Sequence, residues 1–374
     1  MVQSTRQVFQ SVVWVTAFLA TLASIQPSQA CTVMQTRVGG VPIVARNHDW
    51  VSGGGLVIVN PSGIVKKSLS PVRPHEWTSR YGSVSFNQFG REIPFAGMNE
   101  KGLTVDLLQL HNAEFPPGTD EREAVNVVQW VQYQLDMSAT VAEVVDSLQR
   151  VRPMPFVTAL EKVHYFVADV SGDAAVIEFL NGKAVVKHSG QTTADESGTK
   201  EASQWRGLAL ANSSWEDSSE VVAGGEPSTG SLRRFAKAWQ CSQQGINDAG
   251  QQAGVQCAFD VLESVRQSHT QWSLVYEPTL GRVSLKTDEN PQLRWIDLKE
   301  LKLAPGEQVL CVDIQSQHTG NLAGHLKPLT KAANVRIVDE AFDAIVPPSF
   351  VRTAVKQLLI QYGETLSATP VTVE

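Results

Sequence analysis

The order of hydrophobic patterns along the chain predicts an α+β layered body. Three observations carry that expectation. Period-two apolar segments fill the region from Cys31 to Leu110, and two segments of helical period follow. Strands then return without the regular strand–helix alternation that a parallel βαβ sheet requires.

The elements follow in order. CTVMQTRV and VPIVARNHDW flank Gly39-Gly40, the dipeptide of a tight hairpin. GGLVIVNPSGIVKKSL reads as a second strand pair around Pro61-Ser62-Gly63, and YGSVSFNQFG, EIPFAGMN and GLTVDLLQL as three further strands. NEKG between the last two is a turn, with Gly102 supplying the permissive backbone and Asn99 the cap. In EREAVNVVQWVQYQLDM, the stripe Ala124, Val127, Val128, Val131 and Leu135 has helical spacing. TVAEVVDSLQRV reads as a second helix, started by Thr140 with Glu143 in capping-box position. Strands return in KVHYFVADVSG, AAVIEFLNG and KAVVKH, and Gln191–Ser203 reads as a polar loop. GLALANSS is another strand, and STGSLRRFAKAWQC and CAFDVLESVRQS form a helix pair. TQWSLVYEP, GRVSLKT, QLRWIDL and EQVLCVDI supply four more strands, before a helical appendage from about Gly320 that centres on SFVRTAVKQLLIQYG.

Composition narrows the function classes. The chain has 374 residues, of which 42% are hydrophobic and 18% charged, an ordinary globular balance. Its formal charge of −7, with no basic cluster, argues against nucleic acid as a partner. Cys/His groups with zinc-site spacing are missing, so a structural metal is not expected.

Residues 1–30 read as a secretory signal. Arg6 precedes the apolar run Val12–Ile25, and Ser28 and Ala30 supply the small side chains that signal peptidase needs. That run is too short to cross about 30 Å of hydrocarbon, and no later stretch approaches a membrane span. Cleavage after Ala30 would give a periplasmic or secreted protein, residues 31–374, that begins at Cys31. A lipoprotein would also begin at cysteine, but its recognition sequence wants a Leu-like residue and a small one where Ser28 and Gln29 stand. An exported lipoprotein or binding module without catalysis is the reading from a different class.

The four cysteines, Cys31, Cys241, Cys257 and Cys311, are too few for a disulfide framework. Cys241 and Cys257 flank a polar segment, and either pair or stay as two thiols. Cys311, in an apolar strand, reads as a small buried hydrophobe.

Cys31 carries chemistry of its own. As an N-terminal residue it joins a thiol nucleophile to a free α-amine, whose ordinary pKa near 7.7–8.0 suits it to take the thiol proton. Such a site needs a cation beside the thiol and a carboxylate to orient the amine. Cys31 lies eight positions before Gly39, and Arg46 six after Gly40. The hairpin therefore returns Arg46 and Asp49 to Cys31, to within a residue. A papain-like Cys/His site is the enzyme alternative, but His48, His164, His188 and His269 all lack a matching local context. Strand alternation points His48 away from Asp49, and each histidine reads as a surface or satisfied strand residue.

Five motifs in order then resemble one family. Cys31 with ARNHDW, FAGMNEKGLTVDLL, LALANSS, SLRRFAKAW and TQWSLVYEPTLGRVSLKT are similar to the choloylglycine hydrolases. These N-terminal-nucleophile (Ntn) cysteine amidases include penicillin V acylases and conjugated bile acid hydrolases. The resemblance runs from Cys31 to about Asp313. It implies an αββα four-layer sandwich, no cofactor, a small-molecule linear amide as substrate, and a homotetramer. It also implies that Cys31 forms a thioester acyl-enzyme, with Arg46 favouring the thiolate and Asp49 holding the α-amine. Asn212 would donate to the oxyanion, and Arg234 would buttress Cys31 and Asp49.

Two positions inflect the expectation. Gln109 stands where the family's bile-salt branch carries Asn, a change that matters little if the second oxyanion donor is the backbone N–H. Trp50 after Asp49, as in the exported Gram-negative-type branch, supplies a flat apolar pocket wall, continued by Val51 to Leu56. Both favour aromatic or fatty acyl groups, as in penicillin V or N-acyl homoserine lactones. Conjugated bile acids are the alternative.

Overall fold

The computed structural model describes residues 31–155, 161–189, 207–246 and 250–368. The expected leader (1–30) and polar loop (191–203) lie outside these residues.

The chain opens with β1 (Thr32–Val38) and β2 (Val41–Asp49), paired antiparallel with Val38 opposite Val41. Gly39 and Gly40 have φ of 53° and 86°, the left-handed pair that a two-residue hairpin turn requires. β3 (Leu56–Asn60) and β4 (Ile64–Lys67) are strands as expected, but they do not pair with each other. All five residues of β3 are buried, so it needs a covered place inside a large sheet. β4 alternates buried and exposed, and pairs instead with β5 (Glu76–Thr78). β6 (Ser83–Asn87), β7 (Pro94–Asn99) and β8 (Thr104–Gln109) form a meander.

The segment expected to be one helix from Glu121 to Met137 divides in two. Glu123–Asn126 is a strand, β9, and helix α1 spans only Trp130–Met137. Ala124, Val125 and Val127 are all buried, which a one-sided helical stripe would not give. Asn126 Oδ1 accepts the Val128 N–H at 3.0 Å, a local turn bond that competes with helix. Helix α2 (Val141–Ser147) starts as expected, with Thr140 accepting the Glu143 N–H. The Glu143 carboxylate, however, caps the Ala139 N–H rather than that of Thr140. β10 (Val151–Met154) runs parallel to β9, and β11 (Val163–Ala168), β12 (Ala174–Leu180) and β13 (Lys183–His188) follow.

The second half adds β14 (Ala209–Leu210), an unanticipated helix α3 (Trp215–Val222), α4 (Gly230–Gln244) and α5 (Gln251–Ser264). The four expected strands are β15 (Thr270–Glu277), β16 (Arg282–Thr287), β17 (Arg294–Asp297) and β18 (Leu310–Asp313). The appendage begins with strands, not helix: β19 (Gly320–Asn321) and β20 (Lys327–Pro328) precede α6 (Lys331–Ile345), α7 (Phe350–Thr365) and β21 (Ser367–Ala368).

Two large sheets result. The seven-stranded sheet has the order β14-β1-β2-β15-β16-β17-β19, and the nine-stranded sheet β13-β12-β11-β8-β7-β6-β3-β18-β20. They face each other across a core in which Val33, Val44, Trp272 and Leu274 meet Val57, Phe86 and Met98. Trp130, Val131, Leu135 and Val144 of α1 and α2 cover the outer face of the nine-stranded sheet, over Val105, Tyr165 and Ile177. Phe235, Ala238, Val255 and Phe259 of α4 and α5 cover the other sheet, over Met34, Ala45 and Val275. The sequence of layers is αββα. Each fully buried side chain in the central layer contributes about 1.5–3 kcal/mol, so truncating Leu274 to alanine would cost about 2–5 kcal/mol. Cys311 is buried as expected, and Cys241 and Cys257 are free thiols.

Candidate active site

The site forms where β1, β2 and β15 of one sheet meet β7 and β8 of the other. The β1–β2 register puts Thr32 opposite Asn47 and Val33 opposite Arg46, so Cys31 lies beside the end of β2. Arg46 and His48 share one face of β2, two residues apart. Arg46 is fully buried, and its Nη2 lies 3.7 Å from Cys31 Sγ. Its Nη1 donates to the Phe95 carbonyl at 2.7 Å and to Asp106 Oδ1 at 3.2 Å. A buried guanidinium needs such partners to offset the loss of water.

His48 is buried, and its place follows from Arg46. Its Nδ1 is 3.4 Å from Arg46 Nη2, which can only donate, so Nδ1 accepts. The proton then sits on Nε2 and is donated to Gln88 Oε1 at 3.0 Å. Gln88 Nε2 donates in turn to the carbonyls of Ser52 and Gly54, at 2.7 and 2.9 Å. Burial first, and then the Arg46 charge, push the His48 pKa well below its ordinary value, so the ring is a neutral brace. It is a satisfied strand histidine, as expected, and its bonds hold Arg46.

Cys31 is 5% exposed, and burial raises its thiol pKa. The Arg46 charge opposes that rise, Asp49 adds to it, and the Asp49 main-chain N–H and Arg234 lower it. Burial wins, so at neutral pH this thiol holds its proton until a base removes it.

Asp49 Oδ1 accepts from the Thr270 hydroxyl, while its buried Oδ2 has no hydrogen-bond partner among the described residues. Burial raises the Asp49 pKa against the opposing effects of Thr270, Arg234 and Arg46. A buried carboxylate oxygen without a donor is costly, and a nearby ammonium or amine N–H would satisfy it.

Asn212 and Arg234 approach from the other side. Asn212 Nδ2 donates to the Gln109 carbonyl at 3.0 Å, and its Oδ1 accepts from Arg234 Nη2 at 3.1 Å. Arg234 Nε donates to Thr32 Oγ1 at 3.2 Å, next to Cys31. Arg234 thus bonds to the residue after Cys31 and reaches Asp49 only through its charge. Gln109 faces Val163 in a non-hydrogen-bonded pair, because the adjacent Leu110 N–H bonds to Lys162. Its own N–H and C=O therefore point away from β11, towards Asn212. The Gln109 side-chain Oε1 is buried without a donor.

Trp50 is buried beside this cluster, with its ring 5.6 Å from Phe95 and 6.2 Å from Phe89. Its buried indole Nε1 has no acceptor among the described residues. Val51 is exposed and Ser52 to Gly54 are partly so, giving accessible loop surface directly after Trp50.

The structure thus brings together Cys31, Arg46, Asp49, Trp50, Gln109, Asn212 and Arg234. It adds Asp106, Tyr276, Gln88 and Thr270, which sequence reasoning passed over. The Tyr276 hydroxyl donates to Asp106 at 3.3 Å. Asp106 had a usable signal: a lone acid inside the apolar strand TVDLLQ implies a buried partner. Thr270 and Gln88 carry no such mark. Among the described residues, no group of three or more His, Cys, Asp or Glu could hold a metal, and no helix is long and apolar enough to cross a membrane.

Comparison with known proteins identifies the family and the fold. The profile of the linear amide C–N hydrolases, choloylglycine hydrolase family, matches residues 31–319. Penicillin V acylase of Pectobacterium atrosepticum is 27% identical over 332 residues, covering 77% of this chain and 86% of the relative. Among solved structures, penicillin V acylase from Agrobacterium tumefaciens aligns with a TM-score of 0.65 at 22% identity, over 80% of this chain and 98% of that one. A mutant conjugated bile acid hydrolase from Clostridium perfringens aligns at 0.56 with 16% identity, over 78% and 98%. At those identities the two structures speak to the fold, which is that of the Ntn hydrolases. The family match spans the hairpin, every strand of the two large sheets except the edge strands β19 and β20, and the helices that cover them, and this chain therefore belongs to the choloylglycine hydrolase family, as a hydrolase of carbon–nitrogen bonds other than peptide bonds in linear amides.

Proposed function

We propose that this protein is an exported cysteine amidase whose Cys31, freed as the N-terminus, cleaves aromatic or fatty acyl amides of the penicillin V or N-acyl homoserine lactone kind. The observation that carries the reading is the pairing of a proton-retaining thiol beside Arg46 with the unpartnered Asp49 Oδ2. A free α-amine at Cys31 answers both, as base for the thiol and donor to the carboxylate.

In this mechanism the α-amine takes the thiol proton while Sγ bonds to the amide carbon. The tetrahedral oxyanion accepts from Asn212 Nδ2, whose amide keeps one N–H besides that on Gln109, and from the Gln109 N–H. The α-ammonium then protonates the leaving nitrogen, the C–N bond breaks, and a thioester remains. Water, deprotonated by the same amine, attacks the thioester and releases a carboxylic acid and the thiol. Trp50, Phe89 and Phe95 support an aromatic or fatty acyl group, and the free Trp50 N–H suits an ether or carbonyl oxygen on it.

The test is a hydrolysis panel of phenoxyacetyl-penicillin, a long-chain acyl-homoserine lactone and a conjugated bile acid, with intact mass of the exported protein. Mass beginning at an unmodified Cys31, with activity abolished by iodoacetamide, is expected. A diacylglyceryl adduct, or full activity after alkylation or α-amine blocking, overturns the proposal.

A further inference from the structure

Residues beyond 319 fall outside the family match, yet α6 reaches the rim of the site on two sides. On one side Val338 and Phe342 pack with Phe89, and the Phe342 and Phe89 rings meet edge to face at 5.5 Å. A Cβ on Gly90 would come within 3.0 Å of Val338, and Asn334 Oδ1 accepts the Arg91 N–H at 2.7 Å. On the other side, a Cβ on Gly54 would come within 2.5 Å of Glu340 Oε2, so the Glu340 side chain of the helix lies against Gly54. These are the two segments that Gln88 ties together through the Ser52 and Gly54 carbonyls.

Phe89 is the hinge of the argument. Its ring lies 6.2 Å from Trp50 and 5.8 Å from Phe95. Phe89 and Phe95 are each partly exposed, whereas Phe342 is buried behind Phe89. A ring wedged edge to face by a packed neighbour is held in one orientation. We infer that Phe342 of the C-terminal helix is a specificity-determining positioning residue, which fixes Phe89 and thereby sets the depth of the acyl pocket it forms with Trp50 and Phe95. The inference rests on the amidase reading above. With Phe89 held forward, the pocket favours a flat ring; with Phe342 trimmed, Phe89 can fall back and admit a long chain.

The experiment compares kcat/KM for phenoxyacetyl and dodecanoyl amides of one amine, in wild type and in Phe342→Ala, Phe342→Leu and Phe342→Trp. The long-to-aromatic ratio should rise about tenfold in Phe342→Ala, the scale at which pockets read single groups, mainly through KM. It should fall in Phe342→Trp and lie between in Phe342→Leu. A merely structural defect lowers both substrates alike, and a ratio unmoved across the folded variants overturns the inference. Should Phe342→Ala fail to fold, the Leu and Trp variants decide by the same ratio. Wild type that cleaves neither amide overturns the proposed preference for aromatic or fatty acyl groups and the inference together; active wild type with an unmoved ratio overturns the inference alone.

Discussion

Substituting Asn212→Asp separates oxyanion donation from folding. The side chain keeps its shape, and Oδ1 keeps its acceptor role towards Arg234 Nη2 at 3.1 Å, a bond that becomes an ion pair. What disappears is Nδ2, which donates to the Gln109 carbonyl and in the proposed mechanism to the developing oxyanion. Removing one preorganised oxyanion donor typically costs about 2.7–4 kcal/mol in the barrier, or about 10²–10³ in kcat. The new carboxylate charge faces the oxyanion and pushes the loss towards the upper end. Folding should suffer little only in net, because the stronger Arg234 bond opposes the repulsion between the new carboxylate oxygen and the Gln109 carbonyl oxygen 3.0 Å away. The assay is release of primary amine from a phenoxyacetyl amide, followed with fluorescamine, alongside urea denaturation. Loss of kcat with nearly unchanged KM and urea midpoint is expected. A kcat within threefold of wild type would refute the role given to Asn212, and an equal collapse of stability would show that it is structural.

Other consequences follow from the buried charges. Lys66 is fully buried between Glu92 and Asp136, so Lys66→Met strands two carboxylates and should cost about 3–5 kcal/mol in urea denaturation. Burial, only partly opposed by Arg46, pushes Asp106 up to about 6 from an ordinary 3.8. The folded state therefore favours its protonated form, and the stability this contributes is full below about pH 4 and lost as pH rises through 6. Asp106→Asn should flatten the pH dependence of the urea midpoint across that window, and an unchanged slope would discount the shift. Because burial keeps the Cys31 thiol protonated, kcat/KM should climb as pH rises through about 8, where an α-amine loses its proton. A pH-independent rate from 6 to 9 would remove the amine from its role as base. Cys31→Ala should abolish turnover while the protein stays folded, as circular dichroism would check.

What the sequence determined by itself was local. The Gly39-Gly40 turn admits one hairpin, and a two-residue turn with period-two flanks carries Cys31 back to Arg46 and Asp49 without help from the rest of the chain. Strand composition and the Thr140 cap were likewise readable, because each depends on residues a few positions apart. Partnership across the molecule was not. That β3 and β4 part company, and that Glu123–Asn126 is a strand, depended on which surfaces were covered by distant elements. Arg46 and His48 declared their charges in the sequence, but their partners Asp106 and Gln88 lie 60 and 40 positions away. The helix around SFVRTAVKQLLIQYG was legible, while the short strands before it and the contact of the appendage with Phe89 were not. A helix shows its own apolar stripe in its period, and only the packed structure shows which surface that stripe meets.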